Sequence, residues 1–114
     1  MADGAGGAIV TWQQDIRTVL EMKSDYRVGE KLDIYAQHVL ASGQVDPAWP
    51  ADGRALCTAA NNQYRPIIIA DGAGGAIVAW VDNRNGGDAP DGVDIYAQRV
   101  QPNGQLGGTV VVRH

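Results

Sequence analysis

Phenylalanine is missing from these 114 residues, and cysteine occurs once. A lone Cys57 cannot close an internal disulfide, so the redox compartment, and with it the localisation, stays open. Its functional reading is a nucleophile or metal ligand. The plainer one is a small apolar residue in the run Ala55-Leu56-Cys57-Thr58. No apolar run approaches the roughly 18 residues of a spanning helix. The start, Met1-Ala2-Asp3-Gly4, has neither the basic nor the apolar part of a secretion signal. Basic residues are scarce too: 9 Lys and Arg against 13 Asp and Glu give a net charge of −4. Without a basic patch there is no electrostatic footprint for phosphate, so neither nucleic acid nor a membrane is an expected partner. Serine occurs only at Ser24 and Ser42. No G-x-S-x-G, H-E-x-x-H or P-loop is present.

Glycine, by contrast, is abundant at 15 residues. Each interior glycine costs a helix about 1 kcal/mol relative to alanine, whereas turn-rich β-structure tolerates it. The glycines fall in a repeat. Residues 2–10 read ADGAGGAIV, residues 70–78 read the same, and Trp12 then aligns with Trp80, an offset of 68. Asp33-Ile34-Tyr35-Ala36-Gln37 recurs as Asp94-Ile95-Tyr96-Ala97-Gln98, with Val39 matching Val100, an offset of 61. Ser42-Gly43-Gln44 pairs more weakly with Asn103-Gly104-Gln105. A period this long exceeds most helical repeats and fits a unit of about four strands.

The second unit predicts strands at 65–69, 76–81, 93–100 and 109–112, joined by turns at Asp71–Gly75 and Pro102–Gln105. Pro66 suits the first residue of a strand. Alternation places Val93, Ile95, Ala97 and Arg99 on one face of the third strand and Asp94, Tyr96, Gln98 and Val100 on the other. The first unit predicts only Ala8 to Trp12, Leu32 to Val39 and Arg54 to Thr58; its initial strand is lacking. Residues 15–30, with Val19, Leu20 and Met22, admit either a helical turn or a strand. The expectation is an all-β chain of two tandem four-stranded antiparallel blade-like units, the first incomplete, at 1–59 and 60–114.

The motif carried by Pro66, Asp71, Gly72, Gly74, Gly75, Trp80, Asp82, Arg84, Asp94, Tyr96 and Gln98 resembles repeats of large secreted bacterial proteins. Those are interpreted as β-propellers related to sialidase-type and Asp-box propellers. The resemblance covers nearly the whole chain and implies a propeller fragment of about two blades, cut from a longer array, whose parent family is secreted or at the cell surface. Ser42–Trp49 is similar to the hairpin that carries an Asp box but departs from that motif. A blade cannot bury both faces alone, and an open edge is a template for pairing. A homo-oligomer through blade edges is therefore the expected partner, closing as a ring of three or four copies or as a strand-exchanged dimer, with Val110-Val111-Val112 as the strand to donate.

Candidate sites follow from residue type. Asp82, Asp88, Asp91 and Asp94 lie on a Gly-rich loop suited to Ca²⁺ or another divalent metal, though not at EF-hand spacing. The plainer reading is a solvated loop with Arg84 pairing to Asp82 or Asp94. Trp49, in a Pro-rich turn, is the expected exposed aromatic. With Arg84 and Tyr96 it forms a candidate ligand-contact set. Trp12 and Trp80 are expected between blades. His38 takes the position of Arg99 and is expected to be exposed; His114 is the last residue. A zinc site from His38, Cys57 and a carboxylate has suitable ligand types but no supporting spacing. The ADGAGG segments join strand to strand, so they lack the helix N-terminus of a phosphate loop. Two functions remain in view. One is a structural or binding module that self-assembles and presents loops for protein or glycan contact. The other is a promiscuous metal-dependent hydrolase of esters or phosphoesters, with its site at an oligomer axis or cleft.

Overall fold

A computed structural model of the chain describes residues 1–16, 31–86 and 93–112. Among them there are seven strands and no helix: β1 (Ala8–Asp15), β2 (Leu32–Val39), β3 (Arg54–Cys57), β4 (Gln63–Ala70), β5 (Ala76–Asp82), β6 (Asp94–Val100) and β7 (Leu106–Val112). They form two antiparallel sheets, β1-β2-β3 and β4-β5-β6-β7, in sequence order. The strands follow from alternation: in β5, Ala76, Val78, Trp80 and Asp82 are buried while the residues between them are not. The expected boundary at residue 59 falls in the link between β3 and β4. Whether the segment 17–30 is strand or helix lies outside the described residues.

The two glycine turns are built alike. Asp3 Oδ1 accepts the N–H groups of Ala5 and Gly7 at 2.7 and 2.9 Å. Asp71 Oδ1 accepts those of Ala73 and Gly75 at 2.7 and 3.0 Å. Gly4 and Gly6, like Gly72 and Gly74, sit at φ of +83 to +86°, where a Cβ is strained. A Cβ on Gly75 would also run into the Val100 carbonyl oxygen, so the repeated motif is fixed by backbone approach as well as by turn conformation.

Strand ends differ from the sequence expectation where bulges intervene. β4 starts at Gln63, not Arg65, and Pro66 lies inside it, at a register shift between Tyr64 and Ile67. There the missing proline N–H costs no ladder bond, and Arg65, at φ 56°, turns its own N–H out to Gln13 Oε1 at 2.9 Å. β7 begins three residues early, at Leu106, because a shift between Gln98 and Val100 absorbs the Gly107-Gly108 pair.

The sheets share one core. Ile9, Ile34 and Ala36 of the first sheet and Ala76, Val78, Trp80 and Val100 of the second are buried in a single cluster, with Trp49 and Leu56. Trp80 meets the expectation of packing between sheets. Trp12 does not: it is half-buried and stacks on Tyr35, ring centres 6.1 Å apart. Trp49 also departs from expectation. It is only 3% exposed, with its ring over Gly104 and its Nε1–H donating to the Pro102 carbonyl at 2.9 Å. A tryptophan of one unit thus plugs the turn of the next, in space that Gly104 leaves by having no side chain.

Candidate functional site

Three polar constellations stand out. The first continues β5. Asp82 is buried and receives Trp80 Nε1–H at 2.9 Å on Oδ2. Arg84 returns to it through Nε on Oδ1 at 2.9 Å and Nη2 on Oδ2 at 2.7 Å, and its guanidinium lies 3.6 Å from the centre of the Tyr96 ring. Burial alone would raise the Asp82 carboxyl, but the bonds from Arg84 and Trp80 outweigh it and hold it below its usual range. Pairing with Asp82 raises Arg84 in turn. Arg84 Nη2 also reaches Cys57 Sγ at 3.4 Å, across the two sheets. Burial pushes that thiol up, which suits an inert packing residue better than a nucleophile.

Of the expected ligand set, Arg84 and Tyr96 are therefore brought together, whereas Trp49 is spent on the Pro102 turn. Of the expected metal ligands, Asp82 has both oxygens occupied by Arg84 and Trp80. Asp94 pairs with it across the ladder, and Asp88 and Asp91 lie outside the described residues, as does His114. No group of three His, Cys, Asp or Glu side chains close enough to hold a metal exists among the described residues.

The second constellation corrects the expectation for His38. The ring is 8% exposed and sits between two carboxylates, Nε2 to Asp3 Oδ2 at 2.7 Å and Nδ1 to Asp46 Oδ2 at 2.8 Å. Desolvation works against its protonation, yet the two carboxylates prevail and raise its pKa. Asp3 is lowered chiefly by His38. Asp46 is lowered first by the Ala48 N–H and then by His38. With both ring nitrogens engaged, His38 clamps the two acids together and has no nitrogen left for a metal. The repeat aligns His38 with Arg99 and Asp3 with Asp71, and in the structure that second pair also meets, Arg99 Nε reaching Asp71 Oδ2 at 3.0 Å.

The third is a cleft of about 460 Å³ lined by Gln13, Leu32, Asn62, Tyr64, Arg65 and Asn83. The link between sheets contributes Asn62, whose Oδ1 accepts the Leu32 N–H at 2.7 Å, and Gln13 Oε1 accepts the Arg65 backbone N–H at 2.9 Å. Arg65 stands 5.9 Å from the centre of the Tyr64 ring. Three amides, a phenol and a guanidinium make a wall rich in donors and acceptors, a surface chemistry suited to hydroxyl-bearing or peptide ligands. Sequence reasoning missed this cleft, because it needs β1 and β4 side by side.

No family model, curated protein or solved structure matches the chain.

Proposed function

We propose that the chain is a structural and binding module of β-propeller type, which self-assembles through its blade-like sheets and presents loops for protein or glycan contact. One observation carries the reading. The second sheet covers the first with one face only, and its other face leaves Ile67, Ile69 and Ile77 exposed beside Val110 and Val112. An apolar sheet face in water is an interaction surface, and repeat units reach stability by stacking such faces. The cleft of Gln13, Asn62, Tyr64 and Arg65 is the contact site the module would display. In-line light scattering of the 114-residue chain tests the first part: mass at a multiple of 12.1 kDa is expected, and a folded species that stays monomeric at 100-fold higher concentration defeats it. A glycan array repeated with Tyr64→Ala tests the second. Binding that Tyr64→Ala abolishes is expected; an array without binding removes glycans as the ligand class, and binding indifferent to Tyr64 removes this cleft as their site.

A further inference from the structure

The repeat gives many residues of β1 and β2 an identical twin in β5 and β6, yet burial treats these twins oppositely. On one face, Ile9, Ile34 and Ala36 are fully buried. Their twins Ile77, Ile95 and Ala97 are not: Ile77 is 36% exposed, and Ile95 and Ala97 are half-buried. On the other face the inequality reverses. Ala76, Val78, Trp80 and Val100 are buried. Their twins Ala8, Trp12 and Val39 are half-buried, and Val10 is 42% exposed. The strand register confirms that each set shares a face. Ile9 pairs with His38 and Val10 with Gln37, as Ile77 pairs with Arg99 and Val78 with Gln98.

Inside the chain the Ile-Ile-Ala face of the first sheet already meets the Ala-Val-Trp-Val face of the second. The two faces left partly open carry the same sets, Ile-Ile-Ala on the second sheet and Ala-Val-Trp-Val on the first, with Ile67 and Ile69 of β4 adding to the former. The geometry points to a head-to-tail contact between copies of this chain, in which the Ile77 face of one protomer covers the Val10 face of the next and repeats the junction between its own sheets. This inference rests on the self-assembly reading and specifies its partner and its symmetry. A contact between two different faces is heterologous, so it propagates until the rotation closes. Each copy brings two blades, so closure at two, three or four copies gives four, six or eight blades, within the usual range for propellers.

Two charge insertions test it, Ile77→Glu and Val10→Glu, each at an exposed site. Mass is measured by sedimentation for wild type, for each variant and for their equimolar mixture. Expected are a closed wild-type species of two to four chains, monomers for each variant alone, and a heterodimer for the mixture, since Val10→Glu keeps a sound Ile77 face and Ile77→Glu keeps a sound Val10 face. An assembly that survives Val10→Glu, or one that survives Ile77→Glu, shows like faces pairing and overturns the inference. So does a mixture that remains monomeric. Wild type that is itself monomeric sinks the self-assembly reading beneath it. Circular dichroism checks that each variant keeps its β signature; should a glutamate unfold the chain, Ile69→Glu and Val10→Lys probe the same two faces.

Discussion

The two glycine turns invite comparison because their sequences are identical and their partners are not. In each, one aspartate oxygen closes the turn and the other takes a cation from the neighbouring strand. In the second unit that cation is Arg99, half-exposed, on Asp71. In the first it is His38, buried, and a second acid, Asp46, closes on its far side. The position of Asp46 is taken in the second unit by Gly107, over which the Arg99 side chain lies. The motif therefore demands a cation opposite the turn but not a particular one. The choice decides whether the clamp is permanent, as with a guanidinium, or titratable, as with an imidazole.

The largest contrast is between twins in the core. Ile9→Ala removes a side chain with no exposure and should cost about 3 kcal/mol. Ile77→Ala removes the same side chain from an open face and should cost almost nothing in dilute monomer. Urea unfolding at low and high protein concentration checks both. If Ile77→Ala becomes as costly as Ile9→Ala when the protein is concentrated, the two faces are equivalent in the assembly. If its cost stays negligible at every concentration, the Ile77 face is never covered.

Next comes the pair of tryptophan partners. Trp80 donates to buried Asp82, and Trp12 donates to exposed Gln14 at 2.9 Å. Asp82→Ala leaves the indole N–H and the Arg84 guanidinium without their shared acceptor, at about 2–3 kcal/mol. Gln14→Ala should change stability by about 0.5 kcal/mol or less, because water replaces the lost partner. Thermal melts of the two variants measure the ratio; equal losses would mean that burial is not what separates the twins.

A smaller effect depends on pH. The folded imidazole of His38 holds its proton more tightly than the unfolded one. Its contribution is complete below the unfolded value of about 6.5 and disappears as pH climbs through the raised folded value. Asp3 and Asp46 act in the opposite sense. Lowered in the folded state, they contribute above the unfolded carboxylate value of about 4 and lose that contribution as pH falls through the lowered values. The clamp is therefore strongest between the carboxylate and imidazole ranges, and wild type should weaken from there toward alkaline pH. His38→Gln keeps hydrogen-bonding capacity without the charge and should flatten that decline. Urea midpoints across pH measure it, and an undiminished slope in the variant would place the titration elsewhere.

How much of this could be read beforehand depends on sequence distance. The strands were legible because alternation and turn chemistry are local: Ala76 to Asp82 and Asp94 to Val100 carry their own period. Pairing order was legible from the repeat. The burial of Trp49 was not, since the space it fills belongs to Gly104 and Pro102 in the other unit, and a Pro-rich turn by itself reads as surface. His38 was missed for a related reason: its acids are Asp46, 8 residues on, and Asp3, 35 residues back. Asp82 was rightly grouped with Arg84, two positions on and just past the end of β5, but its carboxylate was offered to a metal because alternation alone does not show that the Trp80 indole on the same face claims it. The cleft walls come from β1, the start of β2, β4, the link between sheets and Asn83 after β5, which only the packing of one unit on the next brings together.

The smallest effect separates the two clamps themselves. Arg99 is half-exposed, so its pair with Asp71 is screened by water and salt, and Arg99→Ala should cost no more than about 0.5 kcal/mol. Asp71 keeps its bonds from Ala73 and Gly75 in that variant, so the turn itself survives. His38→Ala differs in kind: it empties a buried slot beneath the Trp49 ring, whose centre is 5.8 Å away, and leaves Asp3 and Asp46 facing each other across it. Denaturation at 0.05 and 0.5 M salt distinguishes the two. The Arg99→Ala loss should shrink toward zero at high salt, whereas the His38→Ala loss should persist because packing carries much of it. A salt-insensitive Arg99 loss would show that the arginine works through its stem over Gly107 and not through its charge.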